Sequence, residues 1–184
     1  MSIRTVLAIL AGAALACVWA VVSYPLVDYV DNALYWRRVR SDTDVAGVVG
    51  RLGNTPAFEF ARAAAKAGLT RSEGLKGIVD AADVLPDGRL KVAGWAVDTR
   101  KGNRPVDVVI VAPKVAVFVV RTTSPRDDVA DYLLFPADYI KAGFAATFDE
   151  PVGCAVTRAG AYVVVVNQDL QFDIVNPQLK INGC

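Results

Sequence analysis

Not one of the 184 residues is a histidine. That removes Ser-His-Asp and Cys-His catalysis, His-ligated zinc and histidine pH switching. The remaining side chains with chemistry are three cysteines (Cys17, Cys154 and Cys184) and a set of charged groups around Asp98 and Arg126–Asp131. Cys154 as a nucleophile would lack an imidazole base. Paired with Cys184, the last residue, it would instead close a loop of about 30 residues and stabilise the fold by about 3–4 kcal/mol. Such a bridge implies an oxidising compartment; the alternative is two unrelated buried thiols. A carboxylate pair such as Asp98 and Asp128 hydrolyses glycosides when about 5–10 Å apart. About 110 residues of all-β chain leave little material for a deep cleft, so the expectation is a non-enzymatic protein without a cofactor. Asp127, Asp128 and Asp131 have the charge for calcium but match no recognised calcium loop. Twenty basic and nineteen acidic residues give a net charge of +1, which argues against nucleic acid as a partner.

The elements that would hold these groups are read from the apolar pattern. From Lys76 on, short valine-rich runs alternate with turn residues at about ten-residue spacing, as in a sandwich or barrel. Strands are expected over 77–85, 89–97, 106–112, 115–122, 143–148, 155–157, 162–167 and 170–175, with a turn at Leu85-Pro86-Asp87-Gly88. The runs VVIVAPKVAVFVV and YVVVV are apolar on both faces, so they are central or face an attached helix or partner. Val129, Leu133 and Leu134 have helical spacing, which predicts one crossing helix over 126–134. Within this frame Gly94 permits a close backbone approach and Trp95 is expected to fill the gap between the two sheets. Asp98 and Arg126, at the ends of their elements, would pair bidentately and tie two loops together. The functional alternative makes Trp95 and Tyr132 a stacking platform for sugar rings, with Asp98, Arg126 and Asp128 bonding hydroxyls.

The order of these residues carries a resemblance. Gly94-Trp95-Ala96-Val97-Asp98 follows a strand containing Gly77-x-Val79-Asp80; Arg126-x-Asp128-Val129-Ala130, Tyr132, Gly143-Phe144 and Phe148 come after. This arrangement, over about residues 76–150, resembles the GWA-[LV]-D β-sandwich modules of bacterial envelope and glycosyltransferase-associated proteins. The resemblance implies an Ig-like or jelly-roll sandwich and possible glycan contact; it does not imply catalysis.

Upstream, the 23 residues Thr5–Val27 carry no charge, and the whole chain is 54% apolar. A helix of that length spans about 35 Å, enough for a bilayer core of about 30 Å. Read this way, residues 1–40 are a single-pass anchor in contact with membrane lipid through 5–27, with Tyr24, Tyr29, Tyr35, Trp36 and Arg37, Arg38 and Arg40 in the headgroup layer. A cleaved signal ending at Ala14-Leu15-Ala16 and a lipoprotein acylated at Cys17 are the competing readings. The three arginines beyond the run favour a cytoplasmic domain by the positive-inside rule. The cysteine pair favours the periplasm, and the expected location is the bacterial inner membrane with residues 76–184 in the periplasm. Residues 41–75 read as a helical connector. Thr55 and Pro56 start a helix that Gly68 stops; Glu59, Arg62 and Lys66 form its polar stripe, and its alanine-rich side is expected to pack against the domain, the alternative being a surface for a partner helix. The expected function is protein binding or assembly in the envelope, with a carbohydrate-binding accessory module and a subunit of a larger membrane complex as alternatives.

Overall fold

The computed structural model describes residues 45–101, 104–135 and 141–184. The expected anchor over 5–27 lies outside these residues. Among the described residues no helix is long and apolar enough to cross a membrane.

The chain is mainly β, with two sheets and short helices. Among the described residues two helices come first, α1 (Val45–Gly50) and α2 (Ala57–Lys66). Then follow β1 (Thr70–Arg71), β2 (Leu75–Val84), β3 (Leu90–Asp98), β4 (Asp107–Ala112), β5 (Ala116–Arg121), α3 (Asp127–Leu133), β6 (Gly143–Thr147), α4 (Gly153–Arg158), β7 (Tyr162–Val166) and β8 (Gln171–Asn176). One sheet has the order β1-β8-β7-β4-β5 and the other β2-β3-β6. All pairings are antiparallel except β1 with β8.

The valine runs explain the layering. β-Branched side chains suit extended backbone, and successive residues point to opposite faces. In β4 and β7 both faces are apolar, and every residue of both strands is buried. One face, with Val108, Ile110, Val163 and Val165, meets Leu75, Leu90, Val92 and Phe144 of the three-stranded sheet. The other, with Val109, Val111, Tyr162 and Val164, lies under Val49, Phe60 and Ala64 of α1 and α2. Phe60 anchors this second core edge-on, with ring centroids 5.6 Å from Tyr162 and 5.5 Å from Phe172. The Tyr162 hydroxyl donates to the Thr55 carbonyl at 2.7 Å, and burial holds its proton well above the ordinary tyrosine value. A third, smaller core of Trp95, Val97, Val129, Ala130 and Ala142 joins the outer face of the three-stranded sheet to α3. The domain is thus four layers deep: α1 and α2, five strands, three strands, α3.

Four expectations change. In residues 45–75 the alanine-rich side of α2 packs on the domain as expected, covering with α1 an apolar sheet face; what changes is Thr70–Arg71, which is a strand of that sheet and not part of a helical connector. The 155–157 run is helical, not extended. Pro151 and Gly160 (φ 69°) bracket this short helix, and a run as brief as Ala155-Val156-Thr157 fits either period. At the start of α2, the Thr55 side chain does not cap; its carbonyl serves Tyr162 instead. Trp95 does not fill the gap between the sheets. Leu90, Val92 and Ala96 take that face of β3, so Trp95 and Val97 point to the other. Gly94 is needed where the backbone crowds: a Cβ there would lie 2.2 Å from the Ile78 carbonyl and 2.8 Å from the Phe144 ring.

Candidate functional site

Arg126 precedes α3 and organises the outer face of the three-stranded sheet. Its Nε and Nη2 donate to the two carboxylate oxygens of Asp128, both at 2.7 Å. Its Nη1 donates to Asp80 Oδ2 at 2.8 Å. Asp80 lies two residues along β2 from Ile78, on the same face of the sheet, and a register slip between Val79 and Ala81 leaves it without a partner on β3. The guanidinium therefore ties the bulge of β2 to the first turn of α3 with fork-like geometry. Hydrogen bonding from Arg126, then its charge, holds the Asp128 carboxyl below the ordinary value of 3.8. The same bonds, first from Asp128 and then from Asp80, push Arg126 further up. Asp128 thus keeps no proton to donate near neutral pH.

That arrangement carries a sign. A carboxyl lowered in the native state stabilises it fully above its unfolded pKa, and the contribution is lost as pH falls through the lowered native value. The Asp128 carboxyl resonance should titrate below the ordinary aspartate midpoint, and Arg126→Gln should return it there. A midpoint unmoved by that substitution would show that Arg126 is not the cause.

Beside this triad the surface is apolar. Ile78 is 53% exposed and pairs with Trp95, which puts both on the sheet face that α3 covers. Tyr132, on α3, is 76% exposed, and Leu134, its C-cap residue, is 92% exposed. Leu134 has φ 57°, a left-handed conformation that costs a non-glycine residue about 1–2 kcal/mol. Neither backbone geometry nor the core calls for a large apolar side chain there. Helix α3 closes with Leu134 N–H on Asp131 and Phe135 N–H on Ala130, which fixes the Leu134 backbone at the helix end.

Of the residues picked from sequence, Arg126, Asp128 and Tyr132 come together on this layer, with Trp95 beneath at 8% exposure. Asp98 does not join them, and the expected Asp98–Arg126 pair is absent. Asp98 is 1% exposed at the end of β3. It accepts from Asn167 Nδ2 at 2.7 Å and from the Arg100 backbone N–H at 3.0 Å, with Arg100 Nε at 3.6 Å. Arg100 reaches on to Ser72 and to Gln171. The nearby ends of β4 and β5 hold a second buried acid, Asp107, gripped by Arg121 at 2.7 and 2.8 Å. The buried polar residues Ser72, Asp98, Asp107, Thr122 and Asn167 lie at this one end of the sheets, beside Gln168, whose enclosed amide makes no hydrogen bond with the described residues. Paired as they are, they fasten strand ends, as buried polar groups must be partnered.

The sequence reading missed Ile78 and Leu134 and gave Arg126 the wrong acid. Asp80 stood in the Gly77-x-Val79-Asp80 string, but nothing there announces the bulge. Leu134 shares the spacing of Leu133 and was expected inside; the helix ends at Leu133, so Leu134 faces out. Among the described residues no group of three or more acidic or cysteine side chains is placed to hold a metal ion, and Asp127, Asp128 and Asp131 form none. Cys154 and Cys184 are joined as a disulfide with Cα atoms 5.5 Å apart. Comparison of the chain with family models, with curated proteins and with solved structures found no match.

Proposed function

We propose that the chain is a membrane-anchored envelope protein whose periplasmic β-sandwich binds another protein through the layer formed by α3 and β2. In this reading residues 5–27 hold it in the inner membrane, and the GWA-[LV]-D resemblance names the kind of module. Leu134 carries the proposal: a large apolar side chain, almost fully exposed, on a backbone position that favours glycine. Strain kept at an exposed residue is a mark of functional surfaces. Ile78 and Tyr132 supply further apolar anchors, and Asp80, Arg126 and Asp128 supply the polar rim that protein interfaces place around such a centre. A carbohydrate-binding role has less support, because Trp95 and Asp98 are buried and leave Tyr132 as the exposed ring of the expected platform.

Photo-crosslinking in cells tests the proposal. A benzophenone side chain at position 132 and one at position 134 should each give an adduct with the same protein. Leu134→Asp in the position-132 probe should reduce that adduct about tenfold or more, the loss of a hot-spot residue. A probe at Lys180, exposed on the C-terminal segment, should not give it. Adducts that form equally from position 180, or that ignore Leu134→Asp, would remove this surface from the function.

A further inference from the structure

The helical layer on the opposite side of the domain has its own exposed anchor. Phe58 is 85% exposed on α2, two residues from the fully buried Phe60. Phe58, Arg62 and Ala65 follow at i, i+4 and i+7, so they share the solvent face of the helix, with Lys66 one turn beyond Arg62. Arg51, at the end of α1, is exposed in the same layer. Between residues 45 and 69 the charged residues are Arg51, Arg62 and Lys66 against Glu59. Arg51 and Arg62 make no side-chain hydrogen bond or ion pair with the described residues. By contrast Arg71, Arg89, Arg100, Arg121 and Arg126 each hold a carboxylate. Those five hold carboxylates and Arg158 donates to the Cys154 carbonyl, whereas Arg51 and Arg62 lie open beside one exposed phenylalanine.

We infer that this face, Phe58 with Arg51, Arg62 and Lys66, rests on the anionic surface of the membrane that anchors the chain. The inference rests on the anchor reading above. An apolar ring enters the boundary between headgroups and acyl chains, while lysine and arginine meet anionic headgroups; both act together on peripheral surfaces. Position along the chain supports it. From Arg40, the last arginine flanking the apolar run, to Val45 at the start of α1 the extended chain reaches at most about 18 Å. A tethered domain needs little intrinsic affinity, because tethering makes the second contact intramolecular. Seated this way, the domain turns its outermost opposite layer, with Tyr132 and Leu134, away from the bilayer and toward a partner.

The test uses the full chain in vesicles with bromine-labelled acyl chains, which quench nearby indoles. The parent protein carries Trp19, Trp36 and Trp95, and Phe58→Trp adds a fourth. In phosphatidylglycerol-rich vesicles the added emission should be quenched roughly twofold or more beyond that in phosphatidylcholine vesicles. High salt, or Arg62→Glu with Lys66→Glu, should abolish the difference while the quenching of the parent indoles persists. Persistent parent quenching with no quenching at position 58 overturns the inference and leaves the anchor reading standing. Parent indoles that go unquenched overturn both. Equal quenching at position 58 in the two lipids retains a membrane contact but overturns the anionic recognition proposed here.

Discussion

Trp95→Ala is expected to destabilise the domain by about 3–5 kcal/mol, the range for truncating a buried tryptophan. The ring is the largest member of the small core that joins α3 to the three-stranded sheet, where its neighbours are Val97, Val129, Ala130 and Ala142. A seven-residue helix has little stability of its own; packing supplies it. The loss should therefore be uneven. Amide exchange over 127–135 should rise toward the unprotected limit before the valine strands open, because β4 and β7 belong to the two other cores. Tyr132→Ala, three-quarters exposed on the same helix, should change stability by no more than about 0.5 kcal/mol. Denaturant unfolding of the two variants, with exchange mapped on α3, separates a packing tryptophan from a ligand platform. If Trp95→Ala costs less than about 1 kcal/mol and α3 stays protected, the third core is not what holds that layer.

The same pair shows what sequence patterning makes legible and where it stops. Valine runs apolar on both faces demanded covers for both faces of β4 and β7, and the covers are there: the three-stranded sheet on one side, Phe60 and Ala64 on the other. The alternation of Leu170, Phe172 and Ile174 likewise places them on the face beneath α2. Strand positions follow because β-branched residues and turn residues act locally. Which side of a strand meets which layer is not local. Trp95 alternates with Leu90, Val92 and Ala96, so its face was decided once theirs was, and a size argument about filling a gap pointed the wrong way. The Arg126 partner depended on a contact between distant elements: Asp80 shares the α3 face of β2 with Ile78, whereas Asp98, at the end of β3, bonds Asn167. The exposed set Ile78, Tyr132 and Leu134 is assembled from β2 and from α3 with its C-cap, more than 50 residues on, and no periodicity within either segment records that they share a layer.

Removing the disulfide is expected to cost about 3–4 kcal/mol, on the loop-entropy scale for a sequence separation of 30. The double variant Cys154→Ser and Cys184→Ser should unfold at correspondingly lower denaturant, with a slope no smaller than the parent's because the unfolded chain is less compact without the bridge. What the bridge holds is the segment after β8. Beyond β8 the chain buries Leu179, whose N–H donates to Ala161 at 2.7 Å. It then runs beside the outer edge of β2: Asn182 N–H donates to Ala82, Val84 N–H donates to Asn182, and the Asn182 amide donates to Asp83. Cys184 fastens this edge to α4, where Val156 is buried in the core between the sheets. Asn182 alone makes these three bonds; a covalent tie two residues on keeps them formed and keeps the β2 edge from pairing with other chains. In the variant, amide exchange at Val84 and Asn182 should accelerate ahead of global unfolding, and the purified protein should self-associate more readily. The bridge also bears on place, since a bond of this kind persists in an oxidising compartment. In intact cells Cys154 and Cys184 should resist thiol reagents until a reductant is added. A double serine variant as stable as its parent would show that the tail holds itself, and thiols that label without reductant would place the domain in the cytoplasm.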